Sequence, residues 1–119
     1  MSVGDPPREL RLLAGGAWLS AGGDAAPVID PATGGAVASV RSAAEADVDR
    51  VVRACAEAFP DWRDTPVTER VQPLFRLKAL LERDLDELAR GIVRECGKTL
   101  AEAKGELRRG IENVEVACG

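Results

Sequence analysis

Three kinds of residue in this chain could carry chemistry. They are the thiols of Cys55, Cys96 and Cys118, the adjacent guanidinium groups of Arg108 and Arg109, and the carboxylates gathered at Asp84, Asp86 and Glu87. A thiol acts as a nucleophile only as thiolate, which needs a cation, a helix N-terminus or a base beside it. Each cysteine falls on the apolar stripe of a helical segment, and the chain has no histidine to serve as base. The expectation is three small buried hydrophobes rather than nucleophiles. The absence of histidine also excludes a Ser-His-Asp triad and any His-ligated metal built from this sequence. No CxxC pair exists, so neither a disulfide scaffold nor a zinc knuckle is expected, and a reducing compartment fits.

The carboxylates at Asp84, Asp86 and Glu87 sit where a helix should begin. There they complement the positive end of the helix dipole, which accounts for them without acid–base work. The glycine pairs Gly15-Gly16, Gly22-Gly23 and Gly34-Gly35 match neither G-x-G-x-x-G nor G-x-x-x-x-G-K-[ST]. None follows a strand and opens a helix, so they read as turns rather than phosphate cradles. Arg108 and Arg109 lie among Glu106, Glu112 and Glu115. Arg108 is spaced to pair with Glu112 along one helix face, and solvated charge is the plain reading of both arginines.

These side chains must be positioned by a chain of 119 residues, enough for one domain. Its 45% apolar and 30% charged residues are the balance of a globular protein. A net charge of −4 gives no bulk attraction to nucleic acid or to an anionic membrane. The opening MSVGDPPREL carries acid and proline, so it is not expected to be a signal peptide, and no stretch is long and apolar enough to span a bilayer.

The character of the sequence changes near residue 42. Residues 1–42 read as strands and turns, and residues 43–119 as helices. Arg11–Ala14 and Ala17–Leu19 flank Gly15-Gly16, a hairpin turn in which both residues tolerate positive φ. Val28-Ile29 and Ala36–Val40 flank Asp30-Pro31-Ala32-Thr33-Gly34-Gly35, a second hairpin with Pro31 and Asp30 shaping its turn. Ser42 with Glu45 forms a capping-box pattern, predicting a helix from Ala43 with Val48, Val51, Val52, Cys55 and Phe59 on one face, stopped by Pro60.

Thr65 and Pro66 predict the start of a second helix with a stripe of Val67, Val71, Leu74, Leu77 and Leu81, in which Pro73 is an irregularity. Asp84 with Glu87 starts a third, bearing Leu85, Leu88, Ala89, Ile92, Val93 and Cys96 and ending at Gly97. Thr99 with Glu102 caps a fourth, whose face is Leu100, Ala103, Leu107, Ile111, Val114 and Cys118. The expected class is α/β: two short β-hairpins followed by about four amphipathic helices. No run of parallel strands is evident for these helices to cover, which points to the opening piece of something larger.

The order of several short motifs resembles the aldehyde dehydrogenase family. Ala14-Gly15-Gly16-Ala17-Trp18 resembles its I-N-G-x-W hairpin. Asp30-Pro31-Ala32-Thr33-Gly34 resembles its N-P-A-T-G turn, with Asp for Asn. Ala58-Phe59-Pro60-Asp61-Trp62 resembles A-F-x-x-W, and Gly97-Lys98-Thr99-Leu100 with Glu102-Ala103 resembles G-K-x-x-x-E-A. Within the family, Arg109 to Gly119 and Phe59 to Pro66 are most similar to the methylmalonate-semialdehyde dehydrogenase branch.

The resemblance implies an N-terminal segment of an NAD-binding domain. It implies a parent enzyme that converts methylmalonate semialdehyde, NAD and CoA to propanoyl-CoA, NADH and bicarbonate in valine and inositol breakdown. That chemistry runs by thiolate attack on the aldehyde, hydride transfer to NAD, decarboxylation and thioester transfer to CoA. The nucleophilic cysteine and the residues that contact NAD and CoA would lie beyond Gly119, so no catalytic, cofactor-binding or metal-binding residue is expected here.

One substrate-binding residue is expected. Arg109 matches the branch's carboxylate-holding arginine, and a fixed guanidinium can fork onto both oxygens of a carboxylate. A monovalent-cation site of some family members would map to the carbonyls of Val28 and Ile29 and to Glu95, whose longer arm replaces an aspartate and argues against it. The expected partners are the rest of the dehydrogenase chain, further copies in a homo-oligomer and a small aldehyde, in the cytoplasm, with no nucleic acid and no membrane. The alternatives are another aldehyde or succinate-semialdehyde dehydrogenase, or a helical interaction module without catalysis.

Overall fold

The computed structural model describes residues 8–119, which form two compact units, the first ending at Arg63 and the second Asp64–Gly119. In the first, β2 (Leu12–Ala14) and β3 (Ala17–Leu19) pair antiparallel as the expected hairpin. Gly15 and Gly16 hold φ of 55° and 77°, the left-handed values that a tight hairpin turn requires and that a side chain would strain. The second hairpin, β4 (Ala25–Ile29) and β5 (Ala36–Arg41), is also present, with a register irregularity between Val28 and Ile29. Its turn closes as the residue types require. The Ala32 amide donates to Asp30 Oδ1 at 2.8 Å, and the Gly34 amide to the Asp30 carbonyl at 2.8 Å.

A strand absent from the sequence reading joins this hairpin. β1 (Arg8–Leu10) runs parallel to β5, making a mixed sheet of order β1-β5-β4. A three-residue Arg-Glu-Leu segment has too little alternation to declare itself, and its pairing partner lies about thirty positions away.

The first helix corrects two expectations. α1 spans Glu45–Asp64. Ser42 does not cap it, because its backbone still follows the sheet: the Ser42 amide donates to the Asp24 carbonyl and the Gly23 amide to the Ser42 carbonyl, both at 3.0 Å. The reciprocal acceptor is Asp47 instead. Its Oδ2 accepts from the Ala44 amide at 3.0 Å and from the Gly22 amide at 2.7 Å, so one carboxylate satisfies the helix start and ties the β3–β4 loop to it. Those two amides hold the Asp47 carboxyl below its usual range, with a smaller contribution from Arg50. Pro60 does not stop α1 either. A proline forfeits its own donor and crowds the carbonyl four residues back, a local cost that does not end this helix, and α1 continues one turn past it.

The second unit contains α2 (Val67–Arg70), α3 (Gln72–Arg83), α4 (Leu85–Cys96) and α5 (Leu100–Cys118). The single helix expected from Thr65 to Leu81 is therefore two. Pro73 lies in the first turn of α3, where its missing N–H costs nothing, rather than inside a longer helix. Pro66, not Thr65, occupies the cap position of α2, and its carbonyl accepts from the Glu69 and Arg70 amides at 2.9 Å. Gly97 ends α4 at φ 67°, as its type predicts. Asp84 stands at the cap of α4 but turns its carboxylate to Arg83, at 2.7 and 2.8 Å.

The core of this unit is where α5 meets α3 and α4. Ala89, Ala103 and Ile111 are buried there. Ion pairs lace its rim: Lys78 of α3 to Glu82 at 3.0 Å and to Glu115 of α5 at 3.3 Å, and Lys104 of α5 to Asp86 of α4 at 2.7 Å. The hydrogen bond to Glu82, and then that to Glu115, raises the Lys78 ammonium above its ordinary range. No helix among the described residues is long and apolar enough to cross a membrane.

Candidate functional site

Arg109 is positioned by the start of α5 and by what that helix buries. Thr99 stands at the N-cap in extended conformation, and both halves of the predicted capping box form. The Glu102 amide donates to Thr99 Oγ1 at 3.3 Å, and Glu102 Oε2 accepts from the Thr99 amide at 3.0 Å and from its hydroxyl at 2.7 Å. These bonds hold the Glu102 carboxyl below its usual range. Ala103 and Ile111 then face the core, at 0% and 1% exposure. One residue turns the helix by about 100°, so Gly105 and Arg109, each two positions from a core-facing residue, lie on the opposite side.

There, Lys98, Glu102, Gly105 and Arg109 line an open depression of about 350 Å³. The charges around it are not equally committed. Lys98 Nζ donates to Glu106 Oε2 at 2.6 Å, which raises the lysine and lowers the glutamate from their ordinary ranges. Arg108 does not pair with Glu112 along its own helix as the spacing suggested; it reaches Glu82 of α3 at 3.6 Å, the nearer acid once the helices pack. Among the described residues Arg109 is exposed and forms no ion pair within 4 Å, so its forked donors remain uncommitted. Arg109 thus stands as exposed charge without a fixed partner, which agrees with the plain reading of it as solvated charge and leaves its donors free for a ligand. Lys98, Glu102 and Gly105 were not singled out as neighbours of Arg109. Their spacing of Glu102, Gly105 and Arg109 at i, i+3 and i+7 was the signal that could have grouped them.

The other candidates do not gather into a site. Cys55 and Cys96 are exposed and Cys118 is half-buried, which corrects the expectation of three buried thiols. Cys55 lies on the largely exposed stripe of α1, and Cys96 at the exposed C-terminal end of the α4 stripe, whose Ala89 is buried. Val28 and Ile29 lie in β4 and Glu95 on α4, in different units. Among the described residues no group of three or more His, Cys, Asp or Glu side chains is placed to hold a metal ion. Gly15, Gly16 and Gly34 sit in hairpin turns, and Gly23 serves backbone contact, since a Cβ there would lie 2.5 Å from the Ser42 carbonyl oxygen. The place at the start of α1 where an anion could sit is filled by the chain's own Asp47.

The sequence model of the aldehyde dehydrogenase family matches residues 18–119. A malonate-semialdehyde dehydrogenase of Pseudomonas aeruginosa is 43% identical over 109 residues, covering 92% of this chain and 22% of that protein. The mitochondrial acylating methylmalonate-semialdehyde dehydrogenase of Arabidopsis thaliana is 38% identical, covering 96% of this chain and 19% of that protein. The crystal structure of a methylmalonate-semialdehyde dehydrogenase from Oceanimonas doudoroffii superposes with a TM-score of 0.88 at 39% identity, over 96% of this chain and 23% of that one. A structure described as a methylmalonate-semialdehyde dehydrogenase from Sinorhizobium meliloti complexed with NAD gives 0.87 at 31%, over 96% and 23%. The chain thus spans about a fifth to a quarter of the length of these relatives.

Proposed function

This chain belongs to the aldehyde dehydrogenase family, and from that premise we propose that it is the opening segment of an NAD-dependent, CoA-acylating dehydrogenase of methylmalonate semialdehyde or malonate semialdehyde. The observation that carries the reading is the uncommitted guanidinium of Arg109 on the open side of α5. Both aldehydes bear a carboxylate on the α-carbon, one bond away from the reacting aldehyde carbon. An arginine with free forked donors, on a helix fixed by a capped start and a buried far side, can hold that carboxylate through two parallel hydrogen bonds. The names of the relatives support the same substrate class.

Arg109 is the one residue of this chain to which the proposal gives a substrate contact. NAD accepts hydride and CoA accepts the acyl group when bound, and the residues that hold them belong to the remainder of the full-length protein. The 119 residues alone are inactive in this reading. The full-length enzyme is a homo-oligomer of the cytoplasm, acting in valine and inositol breakdown.

The test is kinetic. In the full-length enzyme, Arg109→Ala should raise KM for methylmalonate semialdehyde at least tenfold, and far more than it raises KM for propanal, which lacks the carboxylate. An equal change for both aldehydes would remove the carboxylate-holding role.

A further inference from the structure

The depression beside Arg109 is lined in part by a residue type that the helix itself does not call for. Gly105 lies in the interior of α5, one turn before Arg109, where glycine is a poor helix former. Nothing in the described structure requires it. Its φ is not positive, and a Cβ built on it meets no atom within 4 Å. The missing side chain leaves open the space that Lys98, Glu102 and Arg109 border. The neighbouring charged groups are turned to other partners: Glu102 to Thr99, and Lys98 and Glu106 to each other. What remains facing the gap is the guanidinium of Arg109.

We propose that Gly105 is a specificity-determining residue: the gap it leaves one helical turn before Arg109 admits the carboxylate end of a short carboxylated aldehyde to the guanidinium. This rests on the proposed role of Arg109 and adds to it a steric limit. Small α-substituents next to the carboxylate are accepted, and a side chain grown from position 105 competes with them for the same space.

The experiment is a series of Gly105→Ala, Gly105→Val and Gly105→Leu in the full-length enzyme, with Arg109→Ala beside it. KM is measured for methylmalonate semialdehyde and for propanal. Gly105→Ala should change the ratio of the two KM values by less than threefold, because one methyl group meets open space. Gly105→Val should raise the ratio several-fold, and Gly105→Leu tenfold or more. Should the leucine variant not fold, the step from alanine to valine decides. A ratio that stays flat across the folded variants, or KM values that rise together for both aldehydes, overturns the assignment of Gly105. A flat Gly105 series with a selective loss in Arg109→Ala leaves the arginine's role standing, whereas an equal loss on both aldehydes in Arg109→Ala removes the reading beneath it.

Discussion

The apolar stripes of α1 and α5 repeat at the same helical spacing, yet they end in opposite states. On α5, Ala103 and Ile111 are sealed against α3 and α4. On α1, Val48, Val52 and Phe59 are 51%, 60% and 58% exposed. In the first unit α1 is anchored at its start by Asp47, and its Ala54 side chain lies 3.9 Å from a Cβ built on Gly15. The rest of its stripe has no comparable cover. Periodicity reports which face of a helix is apolar; it does not report whether the partner of that face lies in the same stretch of chain. The chain spans about a quarter of the length of its relatives, and the described residues hold no partner for the stripe of α1 comparable to the one that α5 has.

The largest effect expected from this contrast is on the isolated chain. With apolar faces this open, the 119 residues alone should aggregate or behave as a molten globule, binding a hydrophobic dye and melting without a cooperative transition. A sharp melt of a monomer would erase the contrast. Next, Ile111→Ala should cost the full-length protein about 3 kcal/mol in urea denaturation, because it opens a cavity where α5 packs. In the isolated chain, Val52→Ser should leave helical circular dichroism unchanged and reduce aggregation, whereas Ile111→Ser should lose helix. Equal behaviour of the two serine variants would show that the stripes do not differ.

Asp47 sharpens the comparison from the other side, since it is the polar anchor that α1 has in place of a core. Asp47→Asn should lower the melting temperature of the full-length protein near neutral pH. The pH dependence has a defined sign. The folded-state pKa lies below the unfolded value of about 3.9, so the stabilisation is complete above that value and is lost as pH falls through the folded one. The gap between wild type and Asp47→Asn should therefore narrow on acidification from pH 5 toward pH 3; a gap that widens would contradict the carboxylate's role. The smallest effect is Thr99→Ala, which removes the capping box of α5 and should cost about 1 kcal/mol.

Much of the fold was legible where one residue type has one local use. Gly15-Gly16 had to be a hairpin turn, Gly97 a left-handed helix end, and Thr99 with Glu102 a reciprocal cap, and all three are found. The reading failed where two local uses compete. Ser42 with Glu45 satisfies the capping pattern, but Ser42 is claimed by the loop at Asp24, and Asp47 takes the role because it can also reach Gly22. Pro60 and Pro73 were assigned opposite roles to those they hold. The pattern shows where a proline sits and not whether the helix behind it has somewhere to continue. β1 was missed because its only evidence is a distant parallel partner. At the site, Arg109 could be singled out by resemblance, but that it stays uncommitted while Arg108 pairs with Glu82 depends on how α3 meets α5.

The central claim is that these residues are scaffold and substrate anchor, with the reacting groups supplied by the rest of the full-length protein. NADH formation tests it most directly. The purified 119-residue chain, given methylmalonate semialdehyde, NAD and CoA, should produce no NADH above the rate without protein, while the full-length enzyme turns over under the same conditions. NADH that accumulates in proportion to the amount of the short chain would contradict the account.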